Sequence, residues 1–109
     1  MPYNEGIEAR INKAVSGWGK TTSKKMFGGV CHLLRGNMFC GVYRDFLILR
    51  LGEEGAGEAL PREHVRPFDI TGRPMKGWVM VGLDGFRTEE SLRRWLDTAR
   101  DFAMTLPSK

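Results

Sequence analysis

Residues 26–51 read MFGGVCHLLRGNMFCGVYRDFLILRL, and this stretch decides the fold class. Two short polar interruptions divide it into three apolar runs of strand length. The runs are Met26–Leu34, Met38–Tyr43 and Phe46–Leu51. Because Arg35-Gly36-Asn37 and Arg44-Asp45 suit tight turns between antiparallel strands, the stretch predicts a three-stranded β-meander. Glycines inside the runs (Gly28, Gly29, Gly41) predict bulges or a close approach of another backbone.

The register of the first hairpin decides where the two cysteines of the chain point. A two-residue turn at Gly36-Asn37 pairs Cys31 with Val42 and leaves Cys40 as a diagonal neighbour on the same face. A three-residue turn centred on Gly36 places the cysteines on opposite faces. Both turns remain open from the sequence, and with either one we expect reduced, structural thiols.

An amphipathic helix is predicted before the meander. Its apolar positions recur at helical spacing on one face: Ile7, Ile11, Ala14, Val15 and Trp18. Gly17 and Gly19 are expected to end it. The next residues, Lys20–Lys25, predict a polar and basic connector.

After the meander, the apolar pattern is weaker, and it becomes clear again at one further strand. Gly52–Leu60 predicts a short helix, and Pro61 and Pro67 bracket a loop. Turn chemistry at Gly72 and Pro74 leads into a further strand, Trp78–Val81.

The clearest element is the final helix. Thr88 is expected to cap it, and Pro107 to stop it. The pairs Glu89–Arg93 and Glu90–Arg94 have the favourable i,i+4 orientation. One continuous stripe faces the sheet: Leu92, Trp95, Leu96, Ala99, Phe102, Ala103 and Leu106. Trp95 lies mid-stripe and is predicted to anchor the core. The whole pattern predicts one α+β domain over residues 1–109, in which the C-terminal helix packs on the sheet.

Composition narrows the class of protein. With 109 residues, of which 41% are hydrophobic and 28% charged, the chain is typical of one soluble globular domain. No apolar run approaches membrane-span length, and the N-terminus lacks the pattern of a secretory signal, so a cytoplasmic protein is expected. The net charge is +4, and residues 1–50 alone carry +5, which can attract nucleic acid or an acidic partner.

The motifs of catalysis and metal binding are weak. Gly19-Lys20-Thr21-Thr22 resembles the end of a phosphate-binding loop, but a helix precedes it and position 14 is alanine. The spacing of Cys31, His32 and Cys40 matches no zinc pattern. We therefore expect no enzyme activity, cofactor or metal.

The exposed basic residues offer a better candidate site. They are Lys20, Lys24, Lys25, Arg73 and Lys76. Arg73 has a planar fork suited to carboxylate or phosphate, and the loop that carries it should be exposed. The interpretation requires the loop Thr71–Lys76 to lie beside the connector. Alternatively, Arg73 pairs with an acid elsewhere and pins its loop. Phe27 and Trp78 stand near these cations, but as strand-starting aromatics they are expected to fill the core.

Three segments together resemble a known family. They are Lys24–Gly29 (KKMFGG), Gly36–Gly41 (GNMFCG) and Thr71–Trp78 (TGRPMKGW). With the helices on either side, they resemble the N-terminal domain of the bacterial TfoX/Sxy proteins, over about residues 3–107. The resemblance implies a compact α+β domain and a role in competence and transcription regulation. Those regulators carry a second, C-terminal domain, whereas this sequence ends at Lys109, so a stand-alone N-terminal domain is expected.

The resemblance and the charge favour a regulatory interaction module with a protein partner, which the family suggests belongs to the transcription machinery. Direct nucleic-acid binding through the basic surface is the first alternative, and small-ligand binding is the second. We expect a monomer or a weak homodimer that does not associate with membranes.

Overall fold

A computed structural model describes residues 3–26, 28–69 and 72–108, which form an α+β fold as predicted. In chain order its elements are α1 (Glu5–Val15), β1 (Thr21–Met26), β2 (Gly29–Leu34), β3 (Asn37–Tyr43), β4 (Phe46–Arg50), α2 (Gly52–Ala59), β5 (Val65–Pro67), β6 (Trp78–Val81), a 3-10 turn (Leu83–Phe86) and α3 (Glu89–Ala103). The strands form one antiparallel sheet in the order β1-β2-β3-β4-β6-β5.

Both edge strands of this sheet differ from the prediction. The predicted connector Lys20–Lys25 is wrong, because Thr21–Met26 pairs along its length with β2. The strand escaped recognition because it is an edge strand with an exposed surface from Thr22 to Lys25, so no apolar alternation marks it. At the opposite edge, the three residues of β5 fall where a loop was predicted, and Pro67 ends that strand.

Helix α1 is anchored at its N-terminus and ends earlier than predicted. The Asn4 side chain accepts hydrogen bonds from the backbone N–H groups of Gly6 (2.9 Å) and Ile7 (3.3 Å). The helix ends at Val15, so Trp18 lies beyond it and packs its ring 5.5 Å from that of Phe39. Trp18 thereby joins the core from the connection to β1 rather than from the helix.

The β2–β3 hairpin combines features of both predicted turns. Its two turn residues are Arg35 and Gly36, with φ angles of 54° and 84°, and not Gly36 and Asn37. A bulge between His32 and Leu33 then shifts the pairing by one residue, so that Cys31 lies opposite Gly41. Cys31 and Cys40 are therefore on opposite faces, as the three-residue turn would have placed them. Both are buried free thiols.

The two faces of the sheet have different roles. One face packs against the helices, and its buried residues share a single cluster with those of α1, α2 and α3. Its strand residues include Val30, Leu34, Cys40, Val42, Leu47, Leu49, Val79 and Val81. On the other face, Cys31, Ile48 and Met80 are buried outside that cluster. The core therefore lies on one side of the sheet.

Helix α3 closes the core as predicted. Thr88 caps it together with Ser91, and the predicted Glu90–Arg94 ion pair forms, whereas the Glu89 carboxylate lies 3.9 Å from Lys13 of α1. Trp95 is 6% exposed, and its indole N–H donates to the Gly85 carbonyl at 2.9 Å. Its place in the core is confirmed.

Close packing between neighbouring strands explains two glycines of the meander. A Cβ at Gly29 would collide with the carbonyl oxygen of Val42, and a Cβ at Gly41 with that of Val30. The close approach that the sequence predicted is thus between neighbouring strands of the same sheet.

Candidate functional site

The five predicted basic residues are all exposed, but they do not form one patch. Lys24 and Lys25 lie on the edge strand β1, with Lys20 just before it, whereas Arg73 and Lys76 lie in the loop between β5 and β6. Three strands, β2, β3 and β4, separate β1 from β6. The expectation that the loop and the connector adjoin is therefore wrong, because the order of strands places them toward opposite edges.

The lysines of β1 have a structural explanation as well. An edge strand leaves backbone donors and acceptors unpaired, and exposed lysines keep such an edge from pairing with another chain. Lys24 and Lys25 are both exposed on this edge. Phe27, the aromatic residue predicted beside them, lies outside the described residues.

The loop that carries Arg73 and Lys76 is fastened at its base. The Gly77 carbonyl accepts from the backbone N–H groups of Leu51 (2.8 Å) and Gly52 (3.1 Å), at the start of α2. Gly77 has a φ of 86°, and a Cβ there would lie 3.3 Å from Gly52, so glycine is required. The loop is thus held against α2. Thr71 lies outside the described residues.

Among the described residues, Arg73 has no ion-pair partner that would pin this loop. Within the described part of the chain, the ion pairs are Lys13–Glu89, His64–Glu63, Arg87–Asp84 and Arg94–Glu90. Neither Arg73 nor Lys76 takes part in one, and both side chains are exposed. Their charge is available to a partner.

A groove of about 300 Å³ lies between α2 and this loop. Its lining is mostly apolar, with one charge from each side: Glu53, Ala56, Gly57, Leu60, Pro67, Pro74, Met75, Lys76, Gly77 and Trp78. Leu60 is 37% exposed and Met75 41%, although both are large apolar residues. Exposed apolar side chains around a concavity, here with a carboxylate (Glu53) on one side and an ammonium group (Lys76) on the other, are typical of a binding site.

The sequence did not indicate that the apolar residues of this groove form a site. Leu60 looked like the end of a helix, and Met75 like one residue of a turn. Trp78 was expected in the core, yet it is half-buried and lines the groove, and its ring lies 5.8 Å from that of Phe68. The available signal was the pair of prolines, Pro67 and Pro74, on either side of an exposed segment.

The groups with shifted pKa values lie away from the groove. Burial raises the pKa of the Cys31 thiol and, more strongly, that of Cys40, and it lowers the pKa of His32. A raised pKa disfavours the thiolate, which is the nucleophilic form of cysteine. Cys40 and His32 lie opposite each other within the sheet, and both are buried.

No group of three or more potential metal-ligating side chains is found among the described residues. None of the helices in the described ranges is long and apolar enough to cross a membrane.

The fold and the groove define a small α+β domain with an exposed apolar concavity. The family model of the TfoX N-terminal domain matches residues 13–103, so the chain belongs to that family. No curated protein is significantly similar to the chain.

Proposed function

We propose that this TfoX N-terminal domain is a regulatory interaction module that acts by binding a protein partner and not by catalysis. The observation that carries the proposal is the groove between α2 and the β5–β6 loop, with exposed Leu60 and Met75 beside the exposed cations Arg73 and Lys76. A partner of matching chemistry presents an apolar side chain with a carboxylate on the side of Arg73 and Lys76 and none on the side of Glu53.

The apolar lining of the groove and the cations beside it contribute to binding in different ways. The apolar lining contributes through removal of nonpolar surface from water, at about 25 cal/mol per Å². The two cations steer an acidic segment and set its orientation, which affects association rate and specificity more than affinity. Family membership supports a role in transcription regulation and competence, and hence a partner from the cytoplasmic transcription machinery.

The test is affinity capture with three matched proteins. The tagged parent should enrich a specific protein, and Met75→Asp should lose it. Met104→Asp is the control, because Met104 is as exposed (46%) as Met75 (41%) but lies outside the groove. Equal capture by all three proteins would exclude the groove, and capture of no specific protein would contradict the proposal itself.

The cations are tested separately. Arg73→Ala with Lys76→Ala should weaken binding of the captured partner without lowering stability, because both side chains are exposed and neither forms an ion pair with another described residue. If the free energy of unfolding falls by more than ~2 kcal/mol, the two residues are structural instead.

A further inference from the structure

The sheet face away from the helices carries an unusual arrangement of side chains. One row of directly paired residues crosses all six strands: Lys24, Cys31, Gly41, Ile48, Met80 and Arg66. A cation stands at each end, and Cys31, Ile48 and Met80 form a buried apolar floor between them. We call this row, together with its neighbours Tyr43 and Phe46, the cationic sheet face.

Two aromatic residues are cross-strand partners next to this row. Tyr43 pairs directly with Phe46 across the β3–β4 hairpin, and both side chains are half-buried. The guanidinium of Arg44 lies 5.3 Å from the centre of the Tyr43 ring, and that of Arg66 lies 5.6 Å from the centre of the Phe46 ring. Aromatic rings and guanidinium groups both offer flat surfaces, so these two residues and their arginines form a platform against which a base can stack.

The charge of this face has one sign. The strand residues that alternate onto it include Lys24 and Arg66 and no carboxylate within the described strands. The nearest acid in sequence, Asp45, accepts a hydrogen bond from the Asn4 side chain (3.1 Å), at the start of α1 on the helix side. A face with cations at both edges and no opposing charge complements a polyanion.

We propose that the cationic sheet face binds single-stranded nucleic acid. Lys24 and Arg66 contact phosphates at the two edges of the sheet, and bases stack on the Tyr43 and Phe46 platform. Six strands at about 4.8 Å spacing give these cations a separation of roughly 24 Å along the sheet, enough for several nucleotides. A duplex fits poorly, because its bases are already stacked on each other.

The proposal favours nucleic acid over an acidic protein because of the rings. A carboxylate segment would use the cations alone, whereas aromatic planes paired with arginine add a contact that bases make and aspartate or glutamate does not. This surface is distinct from the groove beside Met75, so one domain could hold a protein and a nucleic-acid strand together.

Fluorescence anisotropy with labelled 12-nucleotide oligothymidylate DNA, its RNA counterpart and a 12-base-pair duplex tests the proposal. We expect both single strands to bind more tightly than the duplex, with an affinity that falls steeply as salt is added. Lys24→Ala with Arg66→Ala should reduce the slope of log K against log salt by about 1.4, at roughly 0.7 per phosphate contact.

Two matched variants separate this face from general charge and from folding. Lys13→Ala with Arg93→Ala removes the same charge from exposed positions on α1 and α3 and should leave most of the binding intact. Tyr43→Leu keeps an apolar side chain but removes the ring, and it should weaken single-strand binding about tenfold. Thermal melts of each variant identify any loss of folding.

The results of these experiments distinguish nucleic-acid binding by this face from binding of acidic protein segments. Absence of single-strand binding by the folded parent, or equal losses in the two double variants, overturns the proposal. If labelled polyglutamate binds as tightly and Tyr43→Leu affects neither ligand, the face binds acidic protein segments instead. Because Met75→Asp should leave nucleic-acid binding unchanged, failure here leaves the groove proposal standing, and the reverse also holds.

Discussion

At the scale of single residues, the arginines of this domain stabilise it through carbonyls and aromatic rings more than through carboxylates. Arg10 donates to the Phe86 carbonyl at 2.7 Å and lies over the Phe86 ring, which joins α1 to the turn before α3. Arg62 lies 4.4 Å from the centre of the Trp95 ring, and Arg100 lies 4.9 Å from that of Trp18. Such contacts are expected to depend less on salt than surface ion pairs do.

Replacement of Trp95 tests the anchor of the core. Trp95→Ala should lower the free energy of unfolding by about 3–5 kcal/mol, because it removes a large buried side chain and leaves a cavity. Trp95→Phe keeps a ring but loses the hydrogen bond to Gly85, so its loss should be smaller. Urea denaturation measures both. A melting temperature of Trp95→Ala within two degrees of the parent would contradict the assigned helix face.

His32 should make stability depend on pH. It is 1% exposed, its Nε2 atom has no hydrogen-bond partner among the described residues, and burial lowers its pKa from the ordinary value of 6.5. The unfolded chain therefore takes up a proton more readily than the folded one, so this contribution is present above pH 6.5 and is lost as the pH falls below it. Glu8 opposes the shift but is the smaller influence.

The measurement is urea denaturation of the parent and of His32→Leu between pH 8 and pH 5. The parent should lose stability below pH 6.5, and the variant should lose less over the same interval. If the free energy of unfolding changed with pH in the same way for both proteins, His32 would not be responsible for the pH dependence.

At the scale of elements, the sheet depends on backbone packing that side chains cannot replace. Gly29 and Gly41 bring β2 and β3 close together, and a bulge near His32 sets the faces of both strands. A glycine inside a helix, in contrast, is not required for packing and destabilises the helix. The chain offers both cases for comparison.

Gly41→Ala and Gly57→Ala should therefore change stability in opposite directions. The new Cβ at position 41 meets the Val30 carbonyl oxygen, so the strands must separate and unfolding becomes easier. At position 57, in α2, nothing lies within 4 Å, and alanine should stabilise the domain by roughly 0.5–1 kcal/mol. Thermal and urea melts measure both, and an equally tolerated Gly41→Ala would contradict the packing of β2 on β3.

At the scale of the whole molecule, the two thiols report on cooperative unfolding. Cys40 is fully buried on the helix side and Cys31 is 7% exposed on the other face, so each should remain reduced. In the native protein, we expect Cys40 to react with a thiol reagent only at the rate of global unfolding, and Cys31 to react faster. Mass spectrometry after alkylation follows both sites. A loss of two hydrogens in freshly prepared protein would indicate a disulfide and contradict this prediction.

Much of the fold was determined by the sequence itself, wherever periodicity is local. The helix stripe around Trp95, the cap at Thr88 and the apolar runs of the meander each record burial on one face of one element, so spacing alone reveals them. The resemblance carried by three short motifs gave the family in the same way. The sequence also indicated the cations of the β5–β6 loop.

Only the tertiary structure decided which surfaces those elements form. Edge strand β1 buries too little to show alternation, so Lys20–Lys25 was interpreted as a connector. The one-residue bulge that separates Cys31 from Cys40 depends on packing between strands, and it carries no local signal. The order β1-β2-β3-β4-β6-β5 places Lys24 and Arg73 far apart and aligns Lys24 with Arg66 in one row. Contacts between residues distant in the chain are set by the packing of the whole core, and no single segment contains them.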